Sequence, residues 1–315
     1  MIPFPVIGVA RPNFLILTPI CVSLGLASVL LSEHGVTWGL FAVVLLGALM
    51  AHISVNALNE YMDFQSGLDF KTDRTPFSGG SGTLVIQPRL APYALGIGVV
   101  SLFVTLICGI YLLQHVGWGL VPIGVLGILI IVTYTSWINR NRVLVLVAPG
   151  LGFGPLMVIG TYYALTAEYS STALLLSMVP FFLVNNLLLL NQLPDVDADR
   201  SVGRDNFAIA WSTEKSAWLF LIFCILAYVM IIMGVLLGRL PFTALIGLLT
   251  AGIAYQVFKG IRAYRGEIKH LIPYLGKNVV LTLVTPLLIF LGILADIIII
   301  PDYPLGSAIE PVVSA

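Results

Sequence analysis

Two segments of this chain place Asn and Asp at spacings suited to binding a divalent cation. Residues 59–74 read NEYMDFQSGLDFKTDR, and residues 191–206 read NQLPDVDADRSVGRDN. Each segment begins with Asn and has Asp four residues later, so the two side chains share a face wherever the chain is helical. Carboxylate and amide oxygens suit Mg²⁺, which usually takes one or two carboxylates together with phosphate oxygens. The pair of segments therefore predicts a site for a metal-bound phosphate compound.

The spacing also selects individual ligands. In the second segment Asn191, Asp195 and Asp199 fall on one face of a continuous helix, and Asp197 points elsewhere. In the first segment Gly67 is expected to end the helix, so that the next Asp comes from the following loop. The predicted metal ligands are Asn59, Asp63, Asp69, Asn191, Asp195 and Asp199, of which Asp63, Asp195 and Asp199 are the predicted catalytic carboxylates. We expect two Mg²⁺ ions.

Basic residues near these carboxylates are candidates for binding the remaining phosphate oxygens. Lys71, Arg74, Arg200 and Arg204 can pair with phosphate through charge-assisted hydrogen bonds. The metal would offset negative charge on a departing diphosphate clamped between the two segments. The alternative is that both segments are ordinary solvated helix ends. Unpaired carboxylates beside hydrocarbon are costly and usually functional, and this favours the site.

The rest of the chain must position these segments from within a membrane. The 315 residues are 59% hydrophobic and only 10% charged, with a mean hydropathy of +1.03. Apolar runs of about 20 residues indicate transmembrane helices. Nine spans are predicted, at residues 14–31, 38–58, 93–113, 118–137, 143–165, 171–190, 216–237, 240–258 and 278–300. The formal net charge of zero gives no reason to expect a nucleic-acid partner; membrane lipids are the expected surroundings.

The distribution of basic residues predicts the orientation. With nine spans, fourteen of the fifteen Lys and Arg fall on the side of the N-terminus, and Arg239 is the exception. Because positively charged loops stay in the cytoplasm, the N-terminus and both acidic segments are expected inside. The tail at residues 301–315 is expected outside.

The two segments also suggest an internal repeat. Asn59 and Asn191 are 132 residues apart, and each follows an even-numbered span. We therefore predict an all-α integral membrane protein with one domain, residues 1–315, in which nine transmembrane helices form one bundle. The bundle would contain two pseudo-equivalent four-helix halves and a ninth helix. The Gly-rich stretch at 76–84 is predicted to be a cap over the pocket, a cradle of backbone amides for phosphate, or a flexible loop.

The two motifs together resemble the UbiA superfamily of intramembrane prenyltransferases, and most closely its menaquinone-pathway branch, the 1,4-dihydroxy-2-naphthoate polyprenyltransferases. The first motif of that branch reads roughly N-D-Y-x-D-x-x-x-G-x-D, and here Asn59, Tyr61, Asp63, Gly67 and Asp69 match it. The second reads N-x-x-x-D-x-x-x-D-R-x-x-G-K-x-T. Its matches here are Asn191, Asp195, Asp199, Arg200 and Gly203. Residues 152–164 and 11–19 are further similarities.

The resemblance implies a reaction. A polyprenyl diphosphate would bind its head between the Asp motifs and its tail among the helices, ionise with the help of Mg²⁺, and alkylate an aromatic acceptor such as a quinone precursor. Asp63 or Asp195 could instead act as a base on the acceptor hydroxyl. Aromatic faces would stabilise the allylic cation. The further substrate-binding residues are predicted at Asn59, Tyr134, Arg140, Tyr162 and Asn191. A bacterial inner (cytoplasmic) membrane is the implied location.

Departures from the branch pattern leave the acceptor open. Glu60, Arg204 and Asn206 replace the usual Asp, Lys and Thr, and residues 133–143 lack the Gly-Pro-Pro stretch and Lys of that branch. Prenyl transfer to a sugar phosphate or a lipid is therefore the main alternative. A transporter is a weaker alternative, because its charges should lie near the bilayer midplane. The one-segment Asp pattern of CDP-alcohol phosphotransferases is absent from the sequence.

Overall fold

The computed structural model describes residues 4–32 and 34–299, and this part of the chain contains helices and no β-strand. Its nine principal helices are α1 (Leu17–Leu30), α2 (Trp38–Ser66), α3 (Ala91–Val116), α4 (Val121–Thr133), α5 (Arg142–Thr166), α6 (Ser171–Asn191), α7 (Thr213–Leu236), α8 (Phe242–Ala263) and α9 (Ile268–Ile299). Within the described residues, eight helical segments are long and apolar enough to cross a membrane, and the segment Trp118–Thr133 is shorter. The all-helical membrane prediction is confirmed.

The outer faces of the helices are apolar, as lipid contact requires. Large hydrophobic side chains are exposed along α3 and α7, including Val100, Phe103, Ile222 and Ile225. A soluble monomer rarely exposes continuous apolar surface of this kind. The interior is also apolar: one large cluster of buried residues joins α1, α5, α6, α7, α8 and α9. The helices therefore present apolar side chains both to the lipid and to the protein interior.

Several predicted boundaries were wrong. The second span was predicted to end at residue 58, but α2 continues to Ser66, so Asn59 and Asp63 lie on the helix itself. The ninth span was predicted to begin at residue 278, but α9 begins at Ile268. Polar residues at a helix end interrupt the run of apolar residues from which the spans were predicted. They do not interrupt the backbone hydrogen bonds of the helix. The predicted tail at 301–315 lies outside the described residues.

Helix α5 is interrupted where it approaches α6. It contains Pro149 and Pro155, and residues Gly152–Leu156 form a π-helical turn. The backbone N–H of Gly150 donates a hydrogen bond to Asn185 Oδ1 on α6 over 2.7 Å. A Cβ at position 150 would clash with the backbone carbonyl of Phe181. Proline and glycine thus loosen one turn of α5 and let the two helices pack closely.

Two connections carry the acidic residues at one end of the bundle. The first follows α2 and contains a short 3₁₀ helix, Leu68–Phe70, and a Gly-rich loop before the short helix Thr83–Ile86. The second follows α6 and contains the short helices Val196–Ser201 and Phe207–Ala210. A hydrogen bond from Lys71 Nζ to Ser201 Oγ, 3.2 Å long, joins them. The topology therefore brings both acidic segments to the same end of the bundle.

Candidate active site

A cavity of about 750 Å³ opens between the helices beneath the two acidic segments. Side chains of α2, α3, α4 and α5 line most of it, and most of them are apolar. The polar side chains in its wall include Arg11, Asn59, Asp63, Asp69, Tyr134, Asn139, Asn191, Asp195, Asp199, Arg204 and Asn206. The cavity thus has an apolar body and one charged end, a form that suits a ligand with a long apolar tail and an anionic head.

The first acidic segment is held by a continuous helix. Asn59 and Asp63 lie one turn apart on α2, which ends when Gly67 takes a left-handed conformation with φ of 77°. Asp69 then lies on the 3₁₀ helix that follows, as predicted from the glycine. Asn59 accepts a hydrogen bond from Arg11 and donates one to Thr135 Oγ1 over 3.0 Å. These contacts fix the amide at the edge of the cavity.

The second acidic segment is not a continuous helix, and the predicted helical stripe was wrong in this respect. Helix α6 ends at Asn191 and a new short helix begins after Asp195. Pro194 lies in the break, and the residue before a proline is biased away from helical conformation. Asn191, Asp195 and Asp199 nevertheless all line the cavity. Asp197 points away: its side chain is 96% exposed and pairs with Arg200 at 3.2 Å.

Arg204 joins the two segments. Its guanidinium forms ion pairs with Asp63 of the first segment and Asp199 of the second, the latter at 3.0 Å. Asn206 Nδ2 donates to the other carboxylate oxygen of Asp199 over 2.9 Å. Asp63 and Asp199 are only 6% and 3% exposed, so the arginine compensates two buried negative charges. A planar guanidinium can pair with two carboxylates at once, whereas an ammonium acts as a point charge.

Burial also shifts the ionisation of the carboxylates in the loops. Loss of water raises the pKa of Asp69 to about 7, and the neighbouring carboxylates of Asp63 and Glu60 add to the effect. Loss of water and the Asp199 carboxylate raise the pKa of Asp195 to about 7, although Arg204 opposes the shift. The pKa of Asp199 is raised by burial against the pull of Arg204. Adding a cation here would relieve the repulsion among these groups.

The unpaired oxygens fit a hard cation. Within the described part of the chain, Asp69 Oδ2, Asn191 Oδ1 and Asp195 Oδ1 are buried and have no hydrogen-bond partner, and all three residues line the cavity. Among the described residues, no three His, Cys, Asp or Glu side chains converge closely enough to enclose a metal ion by themselves. Mg²⁺ seldom requires such a cage, because it keeps waters and shares phosphate oxygens with its substrate. The donors therefore suit a metal that arrives with a phosphorylated ligand.

The Gly-rich loop forms one wall of the charged end. Phe77, Ser78, Gly79 and Gly80 line the cavity, which supports the cap among the predicted alternatives. Ser81 follows these residues in the loop and is bound by the fully buried Glu60 of α2. The backbone N–H of Ser81 donates to Glu60 Oε1 over 3.0 Å and to Oε2 over 2.9 Å, and the Ser81 hydroxyl donates to Oε1.

Glycine is required where this loop passes the carboxylates. Gly80 has a φ of 71°, and a Cβ there would lie 3.2 Å from Asp69 Oδ1 and 3.3 Å from Glu60 Oε2. Glu60 also pairs with Arg11 at 3.4 Å. The buried glutamate therefore ties the loop to α2 and to the N-terminal residues.

Five predicted substrate-binding residues are not in the cavity wall. Lys71, Arg74, Arg140 and Arg200 are exposed, and Tyr162 is buried in a separate apolar cluster with Leu26 and Val29. The predicted residues that do line the cavity are Asn59, Asp63, Asp69, Tyr134, Asn191, Asp195, Asp199 and Arg204. The spacing of the carboxylates in the sequence was enough to predict residues that line the cavity. The direction of the long Lys and Arg side chains depends on tertiary packing and could not be predicted in this way.

Sequence reasoning also missed residues of the site. Arg11, Asn139 and Asn206 line it, and Glu60 anchors its wall. Arg11 and Glu60 are far apart in sequence, and their pairing depends on how the N-terminal residues pack against α2. Arg11 has a φ of 50°, rare for a residue with a side chain. The feature of the sequence that could have indicated Arg11 as a site residue is that it is a single Arg, followed by Pro12, in an otherwise apolar segment.

The amino-acid sequence matches the profile of a known family and is similar to one characterised enzyme. The sequence profile of the UbiA prenyltransferase family matches residues 18–271. A 1,4-dihydroxy-2-naphthoate octaprenyltransferase of Bacillus subtilis (strain 168) is 26% identical over 206 residues. That alignment covers 63% of this chain and 63% of the relative, so the chain spans less than two thirds of the relative's length.

Solved structures share the fold. A digeranylgeranylglyceryl phosphate synthase superposes with a TM-score of 0.63 and 12% identity, over 94% of this chain and 98% of that protein. A UbiA homologue from Archaeoglobus fulgidus, bound to GPP and Mg²⁺, superposes with a TM-score of 0.63 and 13% identity, over 91% and 99% of the two chains. At these identities the likeness establishes the helical membrane fold.

Proposed function

The chain belongs to the UbiA prenyltransferase family, and we propose that it transfers a polyprenyl group from polyprenyl diphosphate to an aromatic acceptor. The acceptor we propose is a quinone precursor of the dihydroxynaphthoate type. The named activity of the Bacillus subtilis relative supports this choice. The observation that carries the proposal is the meeting of two acidic segments, through Arg204, at the charged end of an otherwise apolar cavity.

The diphosphate head would occupy the charged end. Asn59, Asp63, Asp69, Asn191, Asp195 and Asp199 are the residues we propose to hold Mg²⁺ there, and the magnesium in the related Archaeoglobus structure supports the choice of ion. We propose two ions, because the unpaired oxygens belong to both segments. When bound, the metal would supply positive charge that stabilises the departing diphosphate. Arg204 and Arg11 line the same end and can pair with phosphate oxygens through charge-assisted hydrogen bonds.

The reaction balances without any further reagent. The bond between prenyl C1 and the bridging oxygen breaks, and its electron pair leaves with diphosphate. An electron-rich carbon of the acceptor ring forms a bond to C1, and the ring loses a proton or, in an aromatic acid, its carboxylate. The apolar side chains that α3, α4 and α5 contribute to the cavity would keep water from the reacting carbon and so protect an allylic cation from hydrolysis. Tyr134 also lines the cavity and can present its ring to that cation.

We propose that the charged end faces the cytoplasm of a bacterial inner membrane. Fourteen of the fifteen Lys and Arg were assigned to the side of the N-terminus, and Arg11 lies at the charged end of the cavity. Basic loops remain on the cytoplasmic side of the membrane. A cysteine introduced at exposed position 197 should react with a membrane-impermeant reagent only in inverted vesicles; reaction in intact cells would reverse the orientation.

The experiment that tests the function supplies purified protein with labelled polyprenyl diphosphate and three acceptors: 1,4-dihydroxy-2-naphthoate, glycerol phosphate lipid and a sugar phosphate. We expect a prenylated naphthoate and released diphosphate when Mg²⁺ is present and neither in excess EDTA. A prenylated lipid or sugar phosphate instead would establish the alternative acceptor. Equal diphosphate release with and without EDTA would remove the metal from the mechanism.

A further inference from the structure

His52 is a polar side chain deep in the cavity that the acidic network does not use. It lies on α2, is 5% exposed and forms part of the cavity wall. Its Nδ1 lies 2.8 Å from the hydroxyl of Thr18 on α1. The edge of its ring meets Phe153, with ring centroids 4.7 Å apart and an interplanar angle of 77°. Contacts from α1 and α5 therefore fix the imidazole in one orientation.

The second ring nitrogen is available to a ligand. Among the described residues, the hydrogen bond of His52 is made at Nδ1, and Nε2 has no partner. Nε2 also keeps access to open space, since it is not one of the described side-chain atoms that are both unpartnered and fully buried. Since His52 lines the cavity, the open space beside Nε2 is the cavity itself. A nitrogen in this position would be costly to cover with an apolar group.

The position suits a ring bound below the diphosphate. His52 precedes Asn59 by seven residues, so it lies two turns, or about 10 Å, further along α2 from the charged end. The cavity wall also includes Phe14 and Leu17, and Phe153 packs against the His52 ring. Phe153 comes from the π-helical turn of α5, and such turns frequently occur at functional sites. This corner, between α1, α2 and α5, lies beside the part of the cavity lined by α3 and α4.

We propose that this corner is the acceptor subsite, and that a hydroxyl of the aromatic acceptor hydrogen-bonds to Nε2 of His52. The acceptor ring lies against Phe153, between the imidazole and the reacting end of the prenyl chain. A hydroxyl both donates and accepts, so it pairs with Nε2 in either tautomer of the histidine. The inference rests on the proposed function and narrows the acceptor to hydroxylated aromatic compounds.

The prenyl chain itself is the competing occupant of this corner. A polyprenyl tail has no polar group, so its passage over His52 would remove water from Nε2 and give no hydrogen bond in return. The protein offers a more apolar path along α3 and α4, where Leu106, Ile110, Val125 and Leu129 line the cavity. The tail therefore follows α3 and α4, and the polar corner is left for the acceptor.

The test compares acceptors that carry two hydroxyls with acceptors that carry one, in purified protein variants. Initial rates are measured with 1,4-dihydroxy-2-naphthoate and with the two monohydroxy-2-naphthoates, at saturating polyprenyl diphosphate. We expect His52→Leu to raise the acceptor KM about tenfold, the effect of one hydrogen bond, and to leave the KM for polyprenyl diphosphate unchanged. In wild type one monohydroxy compound should show the same tenfold rise, and in His52→Leu it should equal the dihydroxy compound, because the two deletions remove one interaction.

Two further variants keep the test decisive if His52→Leu does not fold. His52→Gln retains a hydrogen-bonding group and should restore most of the acceptor affinity. Thr18→Val releases Nδ1 and should weaken acceptor binding without touching the ligand. His115→Leu is the matched control, because His115 is exposed at the far end of α3 and bonds a backbone carbonyl within its own helix; it should behave as wild type.

The outcomes separate the two proposals. An unchanged acceptor KM in all variants of residues 18 and 52, with wild type prenylating naphthoates, would overturn the subsite and leave the proposed function standing. A raised KM for polyprenyl diphosphate would place the tail at His52 and would also overturn it. Wild type that prenylates only a lipid or sugar phosphate would overturn the proposed function, and the subsite with it.

Discussion

The two acidic segments share the same spacing from Asn to Asp but differ in backbone structure. The first is carried by α2, which runs unbroken through Asn59 and Asp63. In the second, α6 ends at Asn191, and Asp195 and Asp199 belong to a separate turn of helix. One segment is positioned by a long helix, the other by hydrogen bonds to Arg204 and its neighbours. Equal spacing of ligands in sequence therefore does not require equal backbone structure, provided that the side chains reach the same cavity.

The largest expected effect comes from removing one carboxylate of each segment. Asp63→Ala and Asp195→Ala should each lower kcat by at least about a thousandfold, because a metal-held charge contributes several kcal/mol in the transition state. The measurement is prenyl transfer by purified protein at saturating Mg²⁺. Asp197→Ala, next to the site but exposed, is the control and should stay within about threefold of wild type. A fully active variant at either position would remove that residue from the centre.

Breaking the link between the segments should affect stability as well as activity. Arg204→Ala removes the cation that pairs with the buried Asp63 and Asp199, and removing one member of a buried ion pair costs about 3–5 kcal/mol. Arg204→Lys keeps a charge but cannot pair with two carboxylates in the same way, so we expect an intermediate loss. Denaturant unfolding in detergent measures both variants. Wild-type stability in Arg204→Ala would mean that the second segment is held by other contacts.

Each segment also contains a glycine in the left-handed conformation, and these two positions allow a matched comparison. Gly67 and Gly203 have φ of 77° and 78°, and a Cβ at either would meet no other atom within 4 Å. Alanine should therefore cost about 1–2 kcal/mol at each, from backbone conformation alone. Only Gly203→Ala should also lower activity strongly, because it displaces the adjacent Arg204.

Gly252 provides the control for that comparison. It lies within α8 with open space around its Cα, and Gly252→Ala should be neutral or stabilising by up to about 1 kcal/mol. Thermal unfolding of the three alanine variants, together with their transfer rates, gives the comparison. Equal activity in Gly67→Ala and Gly203→Ala would show that the second segment does not depend on its local turn.

The smallest effect is expected at the exposed link. Lys71→Met removes the hydrogen bond to Ser201, and exposed polar contacts of this kind contribute at most about 1 kcal/mol. Activity and unfolding midpoint should stay close to wild type, within about threefold and a few degrees. A loss as large as that of Arg204→Ala would instead assign Lys71 to substrate binding, as the sequence suggested.

Local signals predicted much of the fold, and tertiary packing decided the rest. Long apolar runs located the helices, and Gly67 correctly indicated the end of α2. The break at Pro194 was also visible, but the four-residue spacing of Asn191, Asp195 and Asp199 favoured a continuous helix. The carboxylates were identifiable because charge is rare in this chain. The directions of Arg74 and Arg200, and the buried position of Tyr162, depend on neighbours that the sequence alone does not place.

The buried contact between Glu60 and Ser81 has a consequence for exchanging parts between relatives. Glutamate reaches the loop at 76–84 with one more methylene than the aspartate usual at this position, and both carboxylate oxygens are used. If only the loop or only residue 60 were exchanged, the buried carboxylate at position 60 would lose its hydrogen bonds from the loop. A functional chimera should therefore require both pieces to move together.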